Sequence, residues 1–189
     1  MSAPAKTSDN VIKSAARKIL EAEGLENLSM QTVAEAVGIR APSLYKHFAS
    51  RADLLKALTG DALQDLKQAV DKSVRPGSHH SKLQRMANAY RTFAKRNPGA
   101  YNLIFNTEAA QEEADLRARM MSAATLLNIL SEAIGPDKAL LGARTLVAFL
   151  HGFIVMETGG LFRFGGDVNA AFNFGLNAIL EALLKNTQP

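Results

Sequence analysis

The ten residues IRAPSLYKHF, at 39–48, hold more donors and positive charge than a core segment uses. On a helix Leu44 and Phe48 are four apart and share a face, which fits docking onto the rest of the protein. The opposite side is left with Arg40, Ser43, Lys46 and His47. Cations and hydroxyls offered together on an exposed helical face suit an anionic groove. Phosphate contacts would hold the helix there, and base edges would be read by hydrogen bonds. The surroundings agree. Between Val37 and Leu58, Arg40, Lys46, Arg51 and Lys56 stand against Asp53 alone, whereas Glu21, Glu23, Glu26 and Glu35 all come earlier.

Other chemistries lack their parts. No phosphate-cradling loop or dinucleotide fingerprint occurs, since GGLFRFGG has no strand before it, and no HExxH or nucleophile elbow is present. With 0 cysteines there are no disulfides and no thiolate metal sites. His79 and His80 sit in a loop without nearby carboxylates, so no metal or other cofactor is expected and no catalysis is indicated. A net charge of +4 is too mild to argue for nucleic acid by itself; 47% hydrophobic residues suffice for a packed core. The first ten residues lack a secretory signal, and the apolar run TLVAFLHGFIVM is shorter than a membrane span of roughly 20 residues. A soluble, cytoplasmic protein that does not engage a membrane is expected.

Helical periodicity dominates, and the expected fold is all-α with about nine helices. A first helix is expected from Asp9, as its cap, to Glu23, with Val11, Ile12, Ala15, Ala16, Ile19 and Leu20 as its stripe and Gly24 as its stop. LSMQTVAEAVG reads as a second helix capped by Ser29 and stopped at Gly38. The third is the opening stretch, with Pro42 in its first turn. Ser50 with Asp53 resembles a capping box for a fourth helix over Arg51–Ser73. SVRPGSHHS is the clearest break. Beyond it helices are expected at about 80–96, 98–105, 110–134, 137–157 and 167–185.

Two short helices joined by a turn containing glycine form a helix-turn-helix, whose second helix enters the DNA major groove. The stretch LSMQTVAEAVGIRAPSLYKHFASRADLL resembles the DNA-binding motif of TetR-family transcriptional regulators, and the likeness covers roughly residues 9–58. The resemblance implies an all-helical homodimer that binds double-stranded operator DNA and whose second domain takes a small molecule. It also implies roles. Thr32 matches a phosphate-contacting position, Tyr45 a tyrosine that reaches the backbone, and Lys46 and His47 the groove edge. Arg51 replaces a phosphate-gripping lysine, and Arg40, Ala41 and Ser43 take the base-reading places. Arg40 departs from the usual capping serine or threonine; it could instead read guanine through a bidentate pair worth ~1–3 kcal/mol. The bland alternative makes Tyr45 a partly buried aromatic, and Lys46 and Arg51 ordinary solvated charges.

The domains are expected at 8–68, for DNA, and at 78–186, for ligand binding and dimerisation. Large apolar groups of the middle helices suggest a pocket lined by Tyr90, Phe93, Met120, Phe149 and His151 for a small apolar or aromatic effector, although residues of this kind also build plain core. FLHGF at 149–153 resembles the WHG signature of one TetR-type carboxy-terminal domain, with Leu150 in the tryptophan's place; His151 reads more readily as a core or interface histidine than as a ligand contact. Leu146, Leu150 and Ile154, with Phe172, Leu176, Ile179 and Leu183, form apolar stripes expected to make a four-helix dimer seam. The function expected is a ligand-responsive regulator, a repressor released from a pseudo-palindromic operator by a small molecule. The competing reading is a helical ligand-binding or scaffold protein without operator binding.

Overall fold

The computed structural model describes residues 7–105 and 113–185, which form α-helices and no strand. The helices among the described residues are α1 (Asp9–Glu23), α2 (Met30–Ala36), α3 (Ala41–Leu44), α4 (Arg51–Ser73), α5 (His79–Arg96), α6 (Pro98–Phe105), α7 (Glu113–Ile134), α8 (Pro136–Thr158) and α9 (Val168–Lys185). The start of the helix expected at 110–134 lies partly outside the described residues. The chain divides into two compact units: Met1–Leu63 with Asn97–Ala118, and Gln64–Arg96 with Arg119–Pro189.

In the first unit α1 is capped by Ser8, not Asp9. The Ser8 backbone is extended, and its side chain accepts from the Val11 amide at 3.4 Å. Asp9 is already in the first helical turn, where a negative charge suits the helix dipole. For α2, Ser29 accepts from Thr32 N while Thr32 Oγ1 accepts from Ser29 N, a reciprocal box with threonine in the third place. Gly38, at φ 71°, makes the tight turn, and the Ile39 amide donates to Ala34 O across it. α3 is only 4 residues long, shorter than expected, and turns continue its path to His47. At α4, Ser50 Oγ accepts from Asp53 N but donates to Asp53 Oδ2, so only half of the expected box forms. The Asp53 carboxylate accepts from the Ser50 hydroxyl at 2.9 Å instead of from the Ser50 amide.

The core of this unit joins Ile12, Ala16 and Leu20 of α1 to Val33, Ala34, Leu44, Phe48, Leu54 and Leu58, and Leu103 of α6 is buried in it as well. α6, inside the span 78–186 expected for the second domain, thus packs within the first unit. α6 docks on α1 through Gly99, where a Cβ would lie 2.5 Å from Leu20 O. The Glu21 carboxylate accepts from the Gly99 amide at 2.8 Å and the Ala100 amide at 3.1 Å, which satisfies two donors of the α6 N-terminus. Apolar periodicity gave no hint that a helix following α5 would pack here.

In the second unit α8 packs Ala139, Gly142, Ala143, Leu146, Leu150 and Ile154 against α5 and α9, and α9 contributes Phe172, Leu176 and Leu180. Five of the seven residues expected in a dimer seam are therefore interior to the protomer. Leu146, Leu150, Ile154, Phe172 and Leu176 are at most 3% exposed inside their own protomer, and Ile179 and Leu183 are partly covered. Both helices are apolar on more than one side, so the stripe chosen from sequence was the inward one. This also explains why α8, with 23 residues, is long and apolar enough to cross a membrane by length and composition. Its inner face is core, and Leu140, Leu141, Val155 and Met156 are exposed on its other side. Gly175 has no room for a Cβ, which would lie 2.8 Å from the Phe149 ring.

Arg91 of α5 is buried against this cluster. Its guanidinium lies 4.4 Å from the Phe172 ring centre and donates from Nε and Nη2 to the two Glu157 carboxylate oxygens at 2.7 Å each. Lys95 makes a third bond to Glu157 at 2.6 Å. Glu157, hydrogen-bonded by Arg91 and Lys95, is held below the usual carboxylate range.

The residues expected to line a ligand pocket do not share one role. Phe93 is core, Met120 is 62% exposed, Tyr90 is partly covered, and Phe149 stacks on Phe172 at 5.8 Å. His151 is half-buried, and burial pushes its imidazole below the ordinary value. None of the five lines the cleft of about 330 Å³ formed by Asn88, Arg91, Thr92, Lys95, Arg96 and Asn169.

Candidate nucleic-acid interface

The outward face of α3 and its following turn is assembled by what lies beneath it. Leu44, fully buried, and Phe48, 8% exposed, pin the segment to α1, α2 and α4. This leaves Arg40, Ser43, Lys46 and His47 exposed, with Tyr45 at 50%. Ala41 is partly covered. The separation of a docked side from a polar, cationic side agrees with the sequence. At the helix start Arg40 supplies no side-chain cap, and the Ser43 amide turns back to Arg40 O at 2.8 Å. Arg40 is thus an exposed N-cap residue whose side chain has no capping duty, three residues before the exposed Ser43.

Three of the eight expected contact residues have local partners. Thr32 Oγ1 accepts from Ser29 N at 3.0 Å and donates toward Asn27 O and Ser29 O, so its hydroxyl serves the α2 cap. Arg51 does not extend outward. Nε donates to Leu28 O at 2.6 Å and Nη2 to Leu25 O at 2.8 Å. Its guanidinium secures the loop between α1 and α2 to the start of α4, where the sequence expectation gave it a phosphate. His47 Nδ1 meets Asp9 Oδ1 at 2.6 Å, a pair that joins the reading segment to the first turn of α1. Asp9 is missing from the expected site because 38 residues separate it from His47 and no spacing rule connects them.

A short helix held by two apolar residues, with hydroxyls and cations facing out and a second short helix behind it, defines a helix-turn-helix DNA-binding regulator. Comparison with known proteins agrees with that class. Residues 12–58 match the family described as bacterial regulatory proteins, tetR family, and residues 83–179 match the tetracyclin repressor-like, C-terminal domain. The chain belongs to the TetR family of transcriptional regulators, which are DNA-binding proteins and not enzymes. It is similar to an HTH-type transcriptional regulator of Mycobacterium tuberculosis, with 28% identity over 84% of this chain and 73% of that protein. It is also similar to the HTH-type transcriptional regulator YobS of Bacillus subtilis, at 26% identity over 96% and 95%. Among solved structures, a protein of unknown function from Rhodococcus sp. RHA1 shares the fold with a TM-score of 0.84, at 23% identity over 95% and 97% of the two chains. ActR of Streptomyces coelicolor bound to (S)-DNPA shares it with a TM-score of 0.73, at 19% identity over 98% and 100%.

Proposed function

We propose that two copies of this chain bind a pseudo-palindromic operator in the cytoplasm, one α3 segment per half-site, and repress transcription until a small molecule releases them. The observation carrying this reading is the exposed group Arg40, Ser43, Tyr45 and Lys46 on a segment locked by Leu44 and Phe48. A charged contact from Lys46 and a hydrogen bond from the Tyr45 hydroxyl to phosphates supply register, and Arg40 and Ser43 supply base reading. A twofold partner places a second reading segment about one helical turn along the duplex. The outward sides of α8 and α9 suit that partner. Leu141, Val155 and Phe174 are exposed there, with the small residues Ala148, Gly152 and Ala178 between them. Two such sides can approach closely and bury apolar area.

The effector is proposed to be a small apolar or aromatic molecule held in the second unit. ActR binds (S)-DNPA, and a TetR variant from Acinetobacter baumannii AYE, of like fold at a TM-score of 0.74, binds minocycline. An effector shifts operator affinity only as far as it binds the two states differently. The direct test is selection of duplexes from a random pool by the purified protein. Enrichment of a twofold-related sequence supports the reading, and recovery of an unenriched pool contradicts it.

A further inference from the structure

The Asp9–His47 pair has a direction. An ionised carboxylate only accepts hydrogen bonds, so at 2.6 Å His47 Nδ1 must be the donor toward Asp9 Oδ1. That fixes the ring's orientation and leaves Nε2 on its far side. The His47 side chain is 28% exposed, between Lys46 and the buried Phe48 that anchors the turn. The Asp9 backbone is held in place, because it opens α1 behind the Ser8 cap and Ile12 of the next turn is fully buried; its side chain is 62% exposed. An imidazolium bonded at Nδ1 to a carboxylate can donate its Nε2–H to an anion, the same carboxylate–histidine arrangement that orients histidines at metals.

We propose that Asp9 is a positioning residue for DNA binding: it orients the His47 ring so that, as the imidazolium, it donates Nε2–H to one phosphate of the duplex. This rests on the operator-binding reading above. A bare carboxylate at this face would repel DNA, and removing it would tighten binding. A carboxylate acting through His47 has the opposite effect. Asp9→Ala and His47→Ala each weaken binding to a duplex recovered by selection, by about tenfold, as expected for one charge-assisted hydrogen bond. Each lowers the dependence of log affinity on log salt by about 0.9, the value for one phosphate. The double variant loses no more than either single one. Asp9→Asn, whose amide oxygen still accepts from Nδ1, recovers part of the loss.

The experiment is a titration of full-length wild type, the three single variants and the double variant against that duplex at several salt concentrations, with thermal unfolding in parallel. Coupled losses with a common decrease in salt slope support the assignment. Tighter binding by Asp9→Ala, additive losses, or a change in melting temperature with an unchanged slope would overturn it. Failure of the wild type to bind any selected duplex would instead overturn operator binding itself.

Discussion

Arg51 donates to the Leu28 carbonyl at 2.6 Å, and its other nitrogen reaches Leu25 O at 2.8 Å. A lysine has one ammonium and cannot serve two carbonyls three residues apart with the same fixed fork. The arginine therefore braces the loop behind the reading segment. Arg51→Ala should cost about 2 kcal/mol by chemical denaturation, and Arg51→Lys about half of that. Neither should alter the salt slope of DNA binding by the 0.9 that a lost phosphate contact would give. A slope change of that size, with unaltered stability, would return Arg51 to the DNA surface.

The α1–α6 joint offers a second test. Gly99→Ala would place a Cβ 2.5 Å from Leu20 O and should destabilise by about 1–3 kcal/mol. Glu21→Ala leaves the Gly99 and Ala100 amides without their acceptor and should cost about 1–2 kcal/mol. Because Leu103 shares the core that carries Leu44, both variants should also weaken DNA binding. Thermal unfolding and a binding titration read the two effects.

Acid should weaken the second unit through Glu157. Its folded-state value lies below the unfolded value of 4.5, so its stabilisation is full above that pH and disappears as pH falls through the folded value. Asp71 behaves in the same sense, held low by its bonds from Lys67 and Thr125. Glu157→Gln should therefore be less stable than wild type at neutral pH, and the gap should close in acid. Arg91→Ala leaves a carboxylate that is 12% exposed with Lys95 as its remaining cation, and should cost about 3 kcal/mol at neutral pH. Urea titrations across pH check both.

The two faces of α9 should respond differently. Phe174, 79% exposed, is expected at the partner surface, so Phe174→Glu should give a folded monomer with weakened operator binding. Leu176, fully buried, belongs to the protomer's core, so Leu176→Glu should prevent folding. Sedimentation with circular dichroism separates these outcomes. A folded, dimeric Phe174→Glu variant would place the interface elsewhere.

Much of this structure was legible along the chain where the controlling interactions are local. The ends of α1 and α4 follow from Gly24, Ser50 and the 3.6-residue repeat, and Leu44 and Phe48, four apart, separate the docked side of α3 from the reading side. Legibility ended where partners are distant or faces are equivalent. The carbonyls bound by Arg51 lie 23 and 26 residues away, and no side-chain pattern marks a carbonyl as an acceptor. α8 and α9 carry leucine, phenylalanine and methionine on several sides, so their repeat could not distinguish the protomer's core from a surface for a second copy. Nothing in the sequence pattern marks the Arg91–Glu157 pair, whose members are 66 residues apart.

The central claim is that the outward residues of the α3 segment read DNA. Its most direct measurement is the affinity of wild type, Tyr45→Phe and Lys46→Ala for a selected twofold duplex and for a scrambled one, across salt concentrations. The expected result is preference for the selected duplex by wild type, with weaker binding by both variants and a salt slope lower by about 0.9 for Lys46→Ala. Equal affinity of all three proteins for both duplexes would contradict it.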